Sequence, residues 1–199
     1  APETKDNDFT WKEFQAKNNN ELVSIYGNFV NRVLVLINKY FEGKVPSPNS
    51  LNKKYFETLK LINQFPEEIG KKIEEFKFRE AIQILINLSR LGNKFLAEEE
   101  PWKIVKNDIK KVQNILYVAL QIVAALSILS EPFLPFSSKK LKSLLGISDV
   151  KIKWNDLINL KEIIKPDHLI GKPELLFKKI EDEEINYQIN KLNKKSSEN

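Results

Sequence analysis

The sequence predicts an all-α fold, a helical bundle, on three observations. Apolar residues recur at steps of three and four over most of the chain. No stretch alternates apolar and polar residues for long enough to need a sheet. Prolines stand at the edges of the periodic runs, where they end one helix or start the next. The 199 residues, 42% hydrophobic and 30% charged, suffice for one domain with a real core and leave little room for a second. Cysteine is absent, which excludes a disulfide framework and a thiolate zinc site and makes the cytoplasm the expected compartment. The chain opens with Ala1 and no apolar leader, as expected of an excised piece or a processed chain.

The elements follow in order. Asp8 and Thr10 are capping candidates for a short first helix carrying Trp11 and Phe14, expected to end in the triplet Asn18, Asn19, Asn20. A second helix is predicted over 21–41, where Leu22, Tyr26, Phe29, Val33, Ile37 and Tyr40 form one apolar stripe. Gly43 closes it, and Pro46 and Pro48 keep the next segment extended. A third helix is predicted over 52–64. A fourth, with Pro66 in its first turn, is expected to run to Leu96 with Phe78, Ile82, Leu85, Leu88, Leu91 and Phe95 on one face. The carboxylates of Glu98, Glu99 and Glu100 would complement the positive end of a fifth helix opening at Pro101 and running to Ser130. Its stretch 115–129 is shorter than the ~20 residues of a membrane span and is broken by Gln121 and Ser127, so it is predicted to be a core helix. Pro132 and Pro135 end it. A short helix over 137–145 precedes Gly146, and 147–173 has no sustained period beyond one expected helical turn. The last helix is predicted over 174–191, followed by a polar tail from Lys194 expected to be disordered.

No catalytic constellation emerges. The single histidine, His168, lies beside Asp167 without a serine or carboxylate partner set, and such a residue is ordinarily structural. The six glycines are scattered, so no phosphate loop forms, and a metal site lacks donors. Binding residues are easier to find. Asn28 and Arg32 stand four apart and therefore share one flank of their helix, off the apolar stripe. An amide beside a guanidinium offers donors and an acceptor that can read the edge of an unpaired base. Lys39 lies on the same flank. The pair fits equally a plain surface or an interhelical hydrogen-bond network. Trp102, behind Pro101 at a helix start, either presents a rigid face for stacking or plugs the core. The net charge of +5, from 32 basic and 27 acidic residues, suits a nucleic-acid partner and a lysine-rich solvated surface alike.

Taken together, Asp8-Phe-Thr-Trp-Lys-Glu-Phe14, Asn20-Glu-Leu-Val23, Gly27-Asn-Phe-Val-Asn-Arg32 and Ile37-Asn-Lys-Tyr-Phe41 resemble the anticodon-binding region of bacterial-type methionyl-tRNA synthetases, which are class I enzymes. Leu91-Gly-Asn-Lys-Phe-Leu96, Glu100-Pro-Trp-Lys103, Pro132-Phe-Leu-Pro135 and Glu174-Leu-Leu-Phe-Lys-Lys-Ile180 continue the likeness. The resemblance implies that Asn28 and Arg32 recognise the wobble cytosine of the CAU anticodon of methionine tRNA. It also implies that Trp102, positioned by Pro101, stacks on that base. It implies a linker and short helix over 1–20 joining a catalytic domain of the same polypeptide, an anticodon-binding bundle over 21–146, and a C-terminal extension over 147–199. The family's His-Ile-Gly-His and Lys-Met-Ser-Lys-Ser signatures do not occur here, so ATP, magnesium and zinc are expected to belong to the family's catalytic portion and not to this chain. Two alternatives remain at this point. One is the corresponding domain of another class I synthetase, for valine or isoleucine; the other is a helical protein-interaction bundle without RNA binding.

Overall fold

The computed structural model describes residues 8–150, 152–159 and 162–196, and every regular element among them is helical; a lone antiparallel bridge joins Lys44 to Leu169. Thr10 caps the first helix, α1 (Trp11–Lys17), its hydroxyl accepting from the Glu13 N–H at 3.1 Å. The expected break at the asparagine triplet does not occur. The chain passes through a π-helical run, Asn18–Gly27, directly into α2 (Asn28–Phe41). Asparagine interrupts helices by bonding its own backbone, but the Asn18 and Asn19 amides are engaged by Lys178 and Ile180, about 160 residues away in sequence. Glu42 and Gly43, both at positive φ, end α2.

Asn52 caps α3 (Lys53–Ile62) by accepting from the Tyr55 N–H. The predicted fourth helix is two: α4 (Phe65–Glu74) and α5 (Phe78–Glu99). Between them Phe76 takes φ 59°, with Phe76 N–H on Ile73 O at 2.9 Å and Lys77 N–H on Lys72 O at 2.8 Å, a left-handed helix stop built without glycine. The predicted fifth helix is also divided, into the single turn α6 (Pro101–Ile104) and α7 (Ile109–Leu129). Asp108 starts the second piece, its carboxylate accepting from the Lys111 N–H. Helix α8 (Pro135–Leu144) and a 3-10 turn (Trp154–Ile158) follow, the latter being the one helical turn expected within 147–173. Helix α9 (Asp182–Ser196) begins later than predicted because 174–180 is an extended strap. It also continues past Lys194, where the tail is expected to start; residues 197–199 lie outside the described residues.

Helix α7 is the axis of the bundle. Every residue from Asn114 to Leu129 is buried, and α2, α3, α5 and α8 pack around it. It is long and apolar enough to cross a membrane, yet here it is enclosed by other helices. Its polar residues hold the loops. The Gln121 side chain, 2% exposed, donates to Ile164 O at 2.8 Å and accepts from the Ile163 and Ile164 N–H groups. Asn114 likewise accepts from the Asn49 N–H at 2.7 Å and donates to Ser50 O. These bonds satisfy amide groups that would otherwise destabilise the core. His168 serves as a tie: its Nε2 lies 2.8 Å from Leu145 O, and its carbonyl accepts from the Val45 N–H.

Candidate nucleic-acid interface

The candidate residues lie on α2 and at the elbow that joins α5 to α7. Helix α2 is held rigidly beneath them. Phe29, fully buried next to Asn28, lies against Gly92 of α5 so closely that a Cβ there would stand 2.2 Å from its ring. One turn earlier, Asn93 donates to Ile25 O at 2.9 Å in the π run, and the Tyr26 hydroxyl reaches Ser130 Oγ at 3.1 Å. Burial pushes the Tyr26 hydroxyl far above the usual phenol range, against the lowering effect of Ser130, so it stays a neutral donor.

Trp102 owes its position to Glu100 and Pro101. Glu100 takes φ 43° and stops α5, and buried Pro101 opens α6 with a fixed φ. The elbow is clamped from below by Glu99, whose carboxylate meets Lys54 Nζ at 2.6 Å, the Tyr55 hydroxyl at 2.6 Å and Lys111 Nζ at 3.5 Å. Partial burial works against the charged form of Glu99, but the bonds from Lys54 and Tyr55 outweigh it and hold the carboxyl below its ordinary range. Burial first, then the bond to Glu99, pushes the Tyr55 hydroxyl upward. The glutamates thus do not simply face a helix end as expected: Glu98 pairs with Lys54 and Lys94, and Glu100 with Lys103. The reason is that α6 lasts only one turn and offers little dipole to complement.

Arg32 and Trp102 come together, the guanidinium carbon standing 4.9 Å from the centroid of the indole ring. Trp102 remains 36% exposed, so it is not the core plug that its residue type allowed. Asn28 is exposed one turn before Arg32 on the same helix, and its amide has no partner among the described residues. Lys39 is exposed two turns further on, 5.4 Å from the Tyr40 ring centroid. A half-exposed indole, a guanidinium against it and a free amide form a set able to stack on a planar heterocycle and bond its edge.

A family model described as the anticodon binding domain of methionyl tRNA ligase matches residues 45–196. The chain belongs to the methionyl-tRNA ligase family. A second model, for class I tRNA synthetases (M), matches residues 1–34. A methionine–tRNA ligase from Flavobacterium psychrophilum is 55% identical over 192 residues, which is 96% of this chain and 28% of that protein. The ligase from Christiangramia forsetii is 56% identical over 197 residues, with the same shares. The chain thus spans a little over a quarter of the length of these relatives. The apo methionyl-tRNA synthetase of Mycobacterium tuberculosis shares the fold at TM-score 0.82 and 20% identity, over 89% of this chain and 36% of that one.

Periodicity does not reveal the far wall of this surface, since it places 174–180 in a helix. The strap brings Leu175, Leu176, Phe177, Lys178 and Lys179 alongside Asn28 and Asn31, enclosing a cleft of about 570 Å³. Phe177 sits against the Cα face of Gly27, where a Cβ would come within 3.1 Å of its ring. The bonding partners of Asn18 and Asn19 fix that register, and they are too distant in sequence for any local pattern to show.

Proposed function

We propose that this chain recognises the CAU anticodon of methionine tRNA, as the anticodon-binding part of a methionine–tRNA ligase. The observation that carries this reading is the Arg32–Trp102 pair with the unpartnered Asn28 amide one turn away. Trp102 stacks on the unstacked wobble cytosine, with Pro101 fixing its angle. Arg32 and Asn28 bond the cytosine edge: the amide and guanidinium N–H groups donate to its O2 and N3 acceptors. The role is recognition, with no chemical step in this chain. Residues 1–20 then lead from the catalytic domain, 21–146 form the reading bundle and 147–199 the extension; the match of 1–34 to the class I synthetase model supports a connection to such a catalytic domain, though not these bounds. ATP, magnesium and zinc act in that catalytic domain, and the whole protein works in the cytoplasm. Family membership and 55% identity to a methionine–tRNA ligase favour methionine over valine or isoleucine.

Substitution tests the reading. Trp102→Ala and Arg32→Ala should each weaken binding of a CAU stem-loop by roughly 1–3 kcal/mol while leaving helicity unchanged, since both side chains reach the surface. Unchanged affinity in both variants would refute it.

A further inference from the structure

Helix α5 ends in two carboxylates, Glu98 and Glu99, with Glu100 directly after them, and its last turn carries no basic residue. Negative charge is the wrong sign for the C-terminus of a helix, whose dipole favours cations there. It is equally the wrong sign beside a surface that meets RNA phosphates. Neither the helix nor the ligand therefore explains Glu99, but its surroundings do. Glu98 and Glu100 keep their side chains at the surface, whereas that of Glu99 is only 9% exposed. Its inward turn joins three helices at one carboxylate. From α3 come Lys54 Nζ and the Tyr55 hydroxyl, each at 2.6 Å, and from the first turn of α7 comes Lys111 Nζ at 3.5 Å. Tyr55 is itself fixed on two sides. Asn52 accepts from its N–H at 2.9 Å, and its ring meets that of Phe95, one turn before Glu99 on α5, at 5.5 Å between centroids.

Only Glu100 and Pro101 separate this joint from Trp102. Glu100 leaves the helix at φ 43° and Pro101 has a ring-locked φ, so few backbone torsions stay free between the clamped carboxylate and the indole. We infer that Glu99 is a positioning residue for the RNA site: by tying the end of α5 to α3 and α7, it holds Trp102 in its stacking orientation before RNA arrives. An indole already in place spares binding the cost of ordering it. Lys54 and Tyr55 contribute to affinity through Glu99, from beneath the elbow. The inference rests on the anticodon reading above, in which Trp102 stacks on the wobble base.

Charge and position predict opposite results for Glu99→Gln. Removing a carboxylate beside a polyanion should by charge alone tighten binding; loosening the elbow should weaken it. The positioning role predicts that Glu99→Gln, measured well below its unfolding transition and with helical circular dichroism retained, binds a CAU stem-loop about tenfold more weakly, no more than the loss of one stacked base. Tyr55→Phe, which deletes one hydroxyl and keeps the ring on Phe95, should weaken binding less but in the same direction. In a Trp102→Ala background neither substitution should weaken it further, since the group they position is gone. With fluorotryptophan at the chain's three tryptophans, the fluorine resonance of Trp102, assigned by its absence in Trp102→Ala, should move in Glu99→Gln while those of Trp11 and Trp154 stay. Unchanged or tighter binding in Glu99→Gln, a loss that persists in full without Trp102, or a Trp102 resonance that stays put or moves only together with the other two, overturns the positioning role while the anticodon reading stands. Parental affinity in Trp102→Ala would instead remove the stacking on which that reading turns, and this inference with it.

Discussion

Replacing Gly92 by alanine sets two effects of opposite sign against each other. In a solvent-facing helix the change would stabilise the protein by about 1 kcal/mol, because glycine is the poorer helix former. At residue 92, however, the added Cβ would stand 2.2 Å from Phe29 Cζ and 2.5 Å from two further ring carbons. The ring has nowhere to go, since Phe29 is fully buried between α2 and α5. Either the helices separate or the ring leaves its rotamer, which costs about 1–3 kcal/mol and occasionally more. A contact of 2.2 Å puts the cost at the upper end of that range, so the clash should win and leave Gly92→Ala less stable by about 2 kcal/mol. For a chain of this size that lowers Tm by roughly 4–8 °C, measured by thermal unfolding at 222 nm and checked by urea titration. Phe29→Leu should itself destabilise, but adding it to Gly92→Ala should cost less than the two single effects summed, because the shorter side chain makes room. A Gly92→Ala variant as stable as the parent, or more so, would refute this account of how α5 seats the reading helix.

Three further outcomes follow from the same geometry. Gln121→Leu removes three hydrogen bonds to residues 163–164 and leaves those groups buried without partners, so stability should fall by about 2–4 kcal/mol, with faster amide exchange at Ile163 and Ile164 as the specific readout. Glu99 has a folded pKa held below its unfolded value, so its contribution is fully present above the unfolded carboxylate range near pH 4.3 and is lost as pH falls through the lower folded value. Glu99→Gln should accordingly be less stable than the parent at neutral pH, and the gap should close in acid; a constant gap in denaturant titrations across that range would contradict the assignment. Arg32→Lys keeps the charge but loses the planar fork that lies against Trp102, so CAU affinity should drop with little change in salt dependence; affinity equal to the parent would show that only charge matters there.

Much of this arrangement is legible in the amino-acid sequence. The 3.6-residue stripe on α2 and the apolar run of α7 show themselves because their periods are local, and so does the pairing of Asn28 with Arg32 on one flank. The boundaries that periodicity places wrongly each have a physical cause. Phe76 ends a helix in a left-handed turn that its residue type does not advertise. The asparagine triplet has the composition of a stop, but its partners, Lys178 and Ile180, sit at the other end of the chain. The strap has the composition of a helix and yet is none for the same reason, since its backbone bonds go to Asn18 and Asn19. Asp108 is different: a cap residue just before an apolar run is a local signal, and it marks the start of α7.

The most direct test of the central claim is a titration of the chain with a fluorescent CAU stem-loop and with one whose wobble cytosine is changed, each at two salt concentrations. The account predicts preference for the cytosine at both, with affinity for either RNA falling as salt rises. Equal affinity for the two RNAs would contradict it, and would leave only lysine contacts that do not distinguish one base from another.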